Sequence, residues 1–215
     1  MSAAAAWPRL IAITDASLLP IETMLDRLTK LAAAARPGSV ALLLREHALG
    51  ARERLRLGHA LRTVARAHGQ ALWVADRLDL ALLLEADAVH LGEGSVTATD
   101  ARKLLGPHRR ISRAWHAVPL DGGDAATELQ AVDALLVSPV LAPRKGRPAL
   151  GLEPLGMLGE QLRARNLACQ MYALGGISGE NAASCLQAGA AGVAAIGAAL
   201  SPDAELLLGA LRISR

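Results

Sequence analysis

Short apolar runs alternate with segments of helical periodicity from one end of this 215-residue chain to the other, and the alternation leaves few folds open. The apolar runs predict strands at Leu10–Thr14, Val40–Arg45, Ala71–Asp76, Ala88–Gly92, Arg110–His116, Ala134–Pro139, Gln170–Gly175 and Gly192–Gly197. Between them, apolar residues recurring every three and four positions predict helices at Ile21–Ala35, Ala51–His68, Leu78–Glu85, Thr97–Leu105, Gly123–Ala131, Leu152–Arg165, Gly179–Ala188 and Asp203–Ile213. Thr97 before the fourth helix, Gly189 after the seventh and Ser201-Pro202-Asp203 at the eighth are start and stop signals. Strands this apolar must be covered on both faces, so these βα units predict an α/β fold, a compact (β/α)8 TIM barrel. A doubly wound sheet would have fewer units and an early glycine fingerprint. No linker or low-complexity run interrupts the pattern, and residues 1–215 are expected to form a single domain.

With no Phe and only 2% aromatic residues, the core has to be built from Leu, Ala, Val and Ile, and there is no base-stacking surface for single-stranded nucleic acid. The net charge of +3 is mild, and Arg52, Arg54, Arg56, Arg62 and Arg66 are broken up by apolar positions. They read as a solvated helix face, so no nucleic-acid partner is expected. Cys169 and Cys185 form no C-x-x-C pair and read as small buried side chains kept reduced. No window has the uninterrupted apolar length of a membrane span, and Met1–Arg9 lacks the basic start and apolar core of a secretion signal. A cytoplasmic protein with no membrane partner is expected.

Two late glycine turns carry the first functional signal. Tyr172-Ala-Leu-Gly-Gly-Ile-Ser-Gly-Glu-Asn181 and Ala190-Ala-Gly-Val-Ala-Ala-Ile-Gly-Ala198 each run from an apolar strand through glycine to a helix start. Side by side after strands seven and eight, they would present bare backbone N–H groups as a phosphate cradle. Gly175 and Gly176 would keep Cβ atoms out of the path of a phosphate oxygen, and Ser178 and Asn181 would cap the next helix. The plainer alternative is glycine that only ends a strand.

In a barrel the chemistry sits at the C-terminal strand ends. The polar residues expected there are Asp15, Arg45, Glu46, His47, Asp76, Arg77, His90, Glu93, His116 and Ser138, followed by Arg144, Lys145 and Arg147 in the long loop 138–151. Those three loop cations can close over an anionic substrate or simply face water. His116 ends its strand with no acid or metal-ligand pattern nearby in sequence, and a neutral imidazole there is a candidate acid/base near pH 7. His90 reads as structural, its ring bonded to a neighbouring loop. No Asp/Glu/His set has metal-site spacing.

Seven motifs stand in an order and spacing similar to that of the thiamine phosphate synthase and TenI superfamily. They are Leu10-Ile-Ala-Ile-Thr-Asp15, Leu44-Arg45-Glu46, Asp76-Arg77-Leu78-Asp79-Leu80-Ala81, Val89-His90-Leu91-Gly92, Ser138-Pro139-Val140, Gly175-Gly176-Ile177 with Asn181, and Ala188-Gly189-Ala190-Ala191-Gly192-Val193-Ala194. The resemblance implies a compact (β/α)8 barrel of thiamine (vitamin B1) biosynthesis that binds a small phosphorylated thiazole on its glycine turns, here Gly175, Gly176, Ile196 and Gly197. The synthase branch joins a pyrimidine diphosphate to the thiazole phosphate with Mg2+. The TenI branch includes a thiazole tautomerase that aromatises the thiazole phosphate.

This chain departs from the synthase motifs at several positions. A Gln and a Lys of the second-strand motif are here Leu43 and His47, and an Asn beside Asp76 is Ala75. The second metal-binding Asp falls on Ser95, a strand-five Ser on Ala114, and a Thr-rich loop ending in Lys on Ala142-Pro143-Arg144-Lys145. His116 matches the histidine to which the tautomerase branch assigns proton transfer. The expectation is therefore a TenI-like isomerase with His116 as acid/base and the glycine turns on the phosphate. Arg45 and Lys145 would meet the substrate carboxylate, and Trp115 would wall the pocket. No cofactor is expected on that reading. Two alternatives stand beside it, a thiamine phosphate synthase (a transferase keeping Asp76 as a residual Mg2+ ligand) and a non-catalytic thiazole phosphate-binding or regulatory protein. Exposed Leu and Ala on the helices permit a homodimer.

Overall fold

The computed structural model describes residues 7–116 and 123–215, with the backbone alone at 123–126, so the first six residues read above lie outside it. Its strands are β1 (Leu10–Ile13), β2 (Val40–Leu44), β3 (Ala71–Ala75), β4 (Ala88–Leu91), β5 (Arg110–Trp115), β6 (Ala134–Val137), β7 (Gln170–Leu174) and β8 (Gly192–Ala195). A helix follows each in turn: α1 (Ile21–Ala34), α2 (Ala51–His68), α3 (Leu78–Leu83), α4 (Ala98–Leu105), α5 (Gly123–Ala131), α6 (Leu152–Ala164), α7 (Ala182–Gln187) and α8 (Glu205–Ala210). All neighbouring strands are parallel, and β1 pairs with both β2 and β8. The sheet therefore closes in chain order as the expected TIM barrel, with no exposed edge.

Every strand begins at its expected residue and ends one or two residues early. Backbone bonds persist a residue past some strands, as from the Thr14 amide to the Leu43 carbonyl at 3.0 Å, and elsewhere a side chain takes the place of the ladder. Beyond β2, for example, the Arg45 amide donates to Thr14 Oγ1 at 2.9 Å. Thr97 caps α4 as expected, its Oγ1 accepting from the Asp100 amide at 3.1 Å. Helices α7 and α8 are shorter than their apolar pattern. At α7 the Asn181 side chain folds back onto the preceding turn. At α8 the Ile213 amide reaches the Leu208 carbonyl, with Arg212 at φ 56°, and this closes the helix.

Strand alternation sorts the apolar residues into two cores. Leu10, Ala12, Leu42 and Leu44 face outward onto helix residues such as Met24, Leu28 and Leu57. Ile11, Ile13, Leu43, Trp73, Leu136 and Tyr172 fill the lumen. Trp73 meets Trp7 edge-on at 6.4 Å and Tyr172 at 6.1 Å between ring centroids. The Tyr172 hydroxyl donates to the Pro8 carbonyl at 2.7 Å, and the Arg110 guanidinium lies 4.0 Å over the Trp7 ring. These rings plug the N-terminal end of the barrel. Gly192 makes room for the chain before β1 and for Tyr172, since a Cβ there would strike the Arg9 carbonyl oxygen and stand 2.8 Å from Tyr172 Cε1.

Cys185 is buried and Cys169 half-buried, and both are free thiols. Burial pushes the Cys169 thiol up to about 12, so it is inert at neutral pH. Among the described residues, no helix is long and apolar enough to cross a membrane.

Trp73→Ala should cost about 3–5 kcal/mol, the usual range for removing a buried aromatic. Urea denaturation of both proteins checks this, and a loss below about 1 kcal/mol would show that the ring does not fill the lumen.

Candidate active site

With the N-terminal end plugged, the lumen opens at the other end into a cavity of about 370 Å3. Ile13, Leu43, Ala75 and Leu136 give it an apolar floor. Its rim is polar. Arg45 and His47 follow β2, Asp76 follows β3, His116 follows β5, and Arg144, Lys145 and Arg147 come from the loop after β6. Gly175 and Ile196 line the side made by β7 and β8, while Gly176 and Gly197 come next in the chain without lining the cavity. Of the other strand-end candidates, Glu46 is buried and accepts the Ala16 amide, Asp15 bonds Ser17, and Arg77 pairs with Asp79.

His116 reaches the pocket because β5 alternates. Ser112, Ala114 and His116 point inward, while Arg113 faces Glu128 of α5 at 3.3 Å. The His116 Nδ1 lies 2.6 Å from the Ser138 carbonyl oxygen. A carbonyl only accepts, so Nδ1 carries the hydrogen of that bond and Nε2 is the nitrogen free for chemistry. Trp115, expected to wall the pocket, does not. It is one residue out of phase with His116, and its indole packs against the core between barrel and helices.

His90 is structural in one respect and misplaced by the sequence in another. Its Nδ1 bonds Ser112 Oγ of the adjacent strand at 2.9 Å, where a loop partner was expected. The register pairs the two residues directly across β4 and β5. The ring also forms part of the cavity wall. Burial, opposed only in part by the charge of Asp76, pushes it down to about 4 and holds it neutral.

The glycine turn after β7 is shaped differently from the expected open cradle. Gly175 and Gly176 have φ of 101° and 75°, a region that disfavours any side chain. Cβ atoms on them would strike Pro139 at 3.0 Å and Ala142 at 2.7 Å, so the missing side chains admit the β6 loop. Asn181 locks the turn, accepting the Ser178 amide at 2.8 Å and donating to the Gly176 carbonyl at 2.9 Å. It does so instead of capping α7. At Gly197 the space around a Cβ is open.

Asp76 has a φ of 61° and turns its carboxylate into the mouth. Oδ1 accepts the Gly92 amide at 2.8 Å and the Ser95 hydroxyl, while Oδ2 stands 3.7 Å from His47 Nε2. Among the described residues, no three His, Cys, Asp or Glu side chains gather as a metal site. Magnesium commonly takes one or two carboxylates and completes its shell with water and substrate phosphates. Asp76 Oδ2 fits that single-carboxylate role.

Sequence reasoning missed one contact at the rim. Glu93, after β4, holds Arg147 at 2.8 Å, and its Oε2 is 3.9 Å from His116 Nε2. The two partners of that ion pair are 54 residues apart, and no local pattern joins them.

The family model for thiamine monophosphate synthase matches residues 10–199. The chain belongs to this family. Its relatives include a thiamine-phosphate synthase of Roseiflexus sp. (strain RS-1), 38% identical over 182 residues that cover 83% of this chain and 74% of that protein. Another, from Chlorobium phaeovibrioides, is 35% identical over 205 residues, covering 95% and 92%. The solved structure of a thiamine phosphate pyrophosphorylase from Pyrococcus furiosus superposes with a TM-score of 0.75 at 27% identity, covering 95% of this chain and 93% of that one. The family is one of thiamine-biosynthetic enzymes that bind phosphorylated thiamine precursors. The relatives' names favour the synthase reading, which the sequence alone placed second to the TenI branch.

The neutral His90 makes a pH prediction. Unfolded, the ring returns to its ordinary 6.5, so between that value and about 4 the unfolded state binds the extra proton. His90 therefore contributes fully above pH 6.5, and its contribution is lost as pH falls toward 4. Relative to the parent, His90→Gln should flatten the decline in stability over that window by up to roughly 3 kcal/mol. Denaturant titrations at pH 7 and pH 4.5 measure this, and parallel declines would show that the ring is not held neutral.

Proposed function

We propose that this protein is a thiamine-phosphate synthase that joins a pyrimidine diphosphate to a thiazole phosphate, with a basic rim replacing part of the family's usual diphosphate site. The observation that supports it is the number of cations lining one mouth. Arg45 and His47 after β2 and Asp76 after β3 line the cavity together with Arg144 and Lys145 of the loop after β6. Strand order puts Asp76, after β3, across the barrel from the Gly175–Gly176 turn after β7. A thiazole phosphate needs one phosphate site, and Arg45, Arg144, Lys145 and Arg147 exceed that need.

In the proposed reaction the thiazole ring nitrogen forms a bond to the pyrimidine's exocyclic carbon as the carbon–oxygen bond to diphosphate breaks. The electron pair of the broken bond leaves with the diphosphate, and Arg45, Arg144 and Lys145 stabilise that charge. Backbone amides on the side lined by Gly175 and Ile196, where the space at the following Gly197 is open, hold the thiazole phosphate. Asp76 would hold Mg2+, which when bound neutralises diphosphate charge. The apolar floor of Ile13, Leu43 and Leu136 keeps water from the reacting carbon.

A second reading, the tautomerase, is favoured by His116. With Nδ1 committed to the Ser138 carbonyl, Nε2 is placed to take a ring proton and return one. Incubating the protein with both substrates and Mg2+, and separately with the non-aromatic thiazole phosphate tautomer, tests the two readings. The synthase reading expects thiamine phosphate, with Lys145→Ala raising KM for the pyrimidine diphosphate on the order of tenfold and Asp76→Asn raising the Mg2+ requirement. Rapid aromatisation without a coupled product, lost on the order of 100-fold in His116→Ala, would replace it with the tautomerase.

A further inference from the structure

The loop after β6 forms a small hairpin. Arg144 and Arg147 exchange backbone hydrogen bonds at 3.0 Å, and Lys145 and Gly146 take positive φ at its tip. The hairpin holds Arg147 over the cavity, where both oxygens of Glu93 meet Arg147 Nη2 at 3.0 and 2.8 Å. Three features mark this pair as exchangeable. It is open to water, with Glu93 65% and Arg147 38% exposed, and ion pairs of that kind are weakly held. It joins two loops across the mouth, so a ligand's anionic group approaches the same guanidinium. Glu93 also makes no hydrogen bond to His116, whose bare Nε2 lies 3.9 Å away, so Arg147 is its only side-chain hydrogen-bond partner among the described residues. The bond from Arg147 holds the Glu93 carboxyl below its ordinary value, so it is anionic at neutral pH.

We propose that the Arg147 guanidinium is an anion subsite of the pocket, filled from within the chain by Glu93, and that a phosphate or diphosphate group of the ligand displaces Glu93 from it. Glu93 is then a specificity-determining residue. Ligands too weakly charged to replace a carboxylate on a planar guanidinium are refused, and strongly charged ones are admitted. The inference rests on the proposed use of this cavity as the substrate site but needs no turnover.

Calorimetric titration of the full chain with inorganic diphosphate, and separately with inorganic phosphate, at fixed ionic strength tests it. Glu93→Gln should bind the displacing anion roughly fivefold tighter than the parent, and Arg147→Met should bind it more weakly. In the double variant the gain from Glu93→Gln should vanish, because the subsite it unblocks is gone. A gain with diphosphate alone assigns the subsite to a leaving diphosphate, and a gain with phosphate alone assigns it to a monophosphate. Equal affinities for Glu93→Gln and parent would overturn the proposal. So would a gain that persists without Arg147, which would show Glu93 acting only through its general field. Failure to form thiamine phosphate bears on the synthase reading and leaves this result standing.

Discussion

An eight-stranded barrel leaves a lumen that side chains must fill, and this chain has no Phe with which to fill it. Trp73 does so, braced edge-on by Trp7 and Tyr172. The glycine at 192 that accommodates Tyr172 and the Pro8 carbonyl that takes its hydroxyl proton belong to the same plug. Because the bulk lies at the N-terminal end, the aliphatic residues above it form a dry floor, and the opposite end stays open for ligand. The polar strand ends acquire a site only because the aromatic end is closed.

Above that floor the electrostatics are uneven. Arg45, Arg144, Lys145 and Arg147 bring four permanent cations to the rim, against the two carboxylates Asp76 and Glu93. Both carboxylates are engaged, Asp76 by Gly92 and Ser95 and Glu93 by Arg147. The neighbouring histidines are divided by burial, since His90 sits deep and is neutral while His116 stands at the edge of the mouth. A site of this sign favours anions.

The barrel was legible in the sequence because most strand starts coincide with the onset of an apolar run, as at Val40 and Ala134, though β5 and β7 begin on the polar Arg110 and Gln170. Strand ends were less so, because side-chain bonds such as Thr14 to Arg45 take over from the ladder where polar residues begin. The sequence put His116 at a strand end, but its facing into the pocket depends on the β5 register, which no sequence pattern fixes. Trp115 was misread because strand-end position alone does not say which way a side chain faces, and adjacent residues on a strand face opposite ways. The role of Gly176 depends on Ala142 from another loop, and the Glu93–Arg147 pair spans two loops. Contacts of that kind arise from closure of the barrel, which no local window of sequence encodes.

The central claim is that one mouth receives two anions at once, a thiazole phosphate at the β7 and β8 strand ends and a diphosphate on the cations of the rim. Phosphorus NMR of the protein titrated with thiazole phosphate and then with inorganic diphosphate and Mg2+ measures this directly. The account predicts that bound thiazole phosphate keeps its shifted resonance as diphosphate saturates. Release of the thiazole phosphate in proportion to added diphosphate would show a single shared anion site and contradict it.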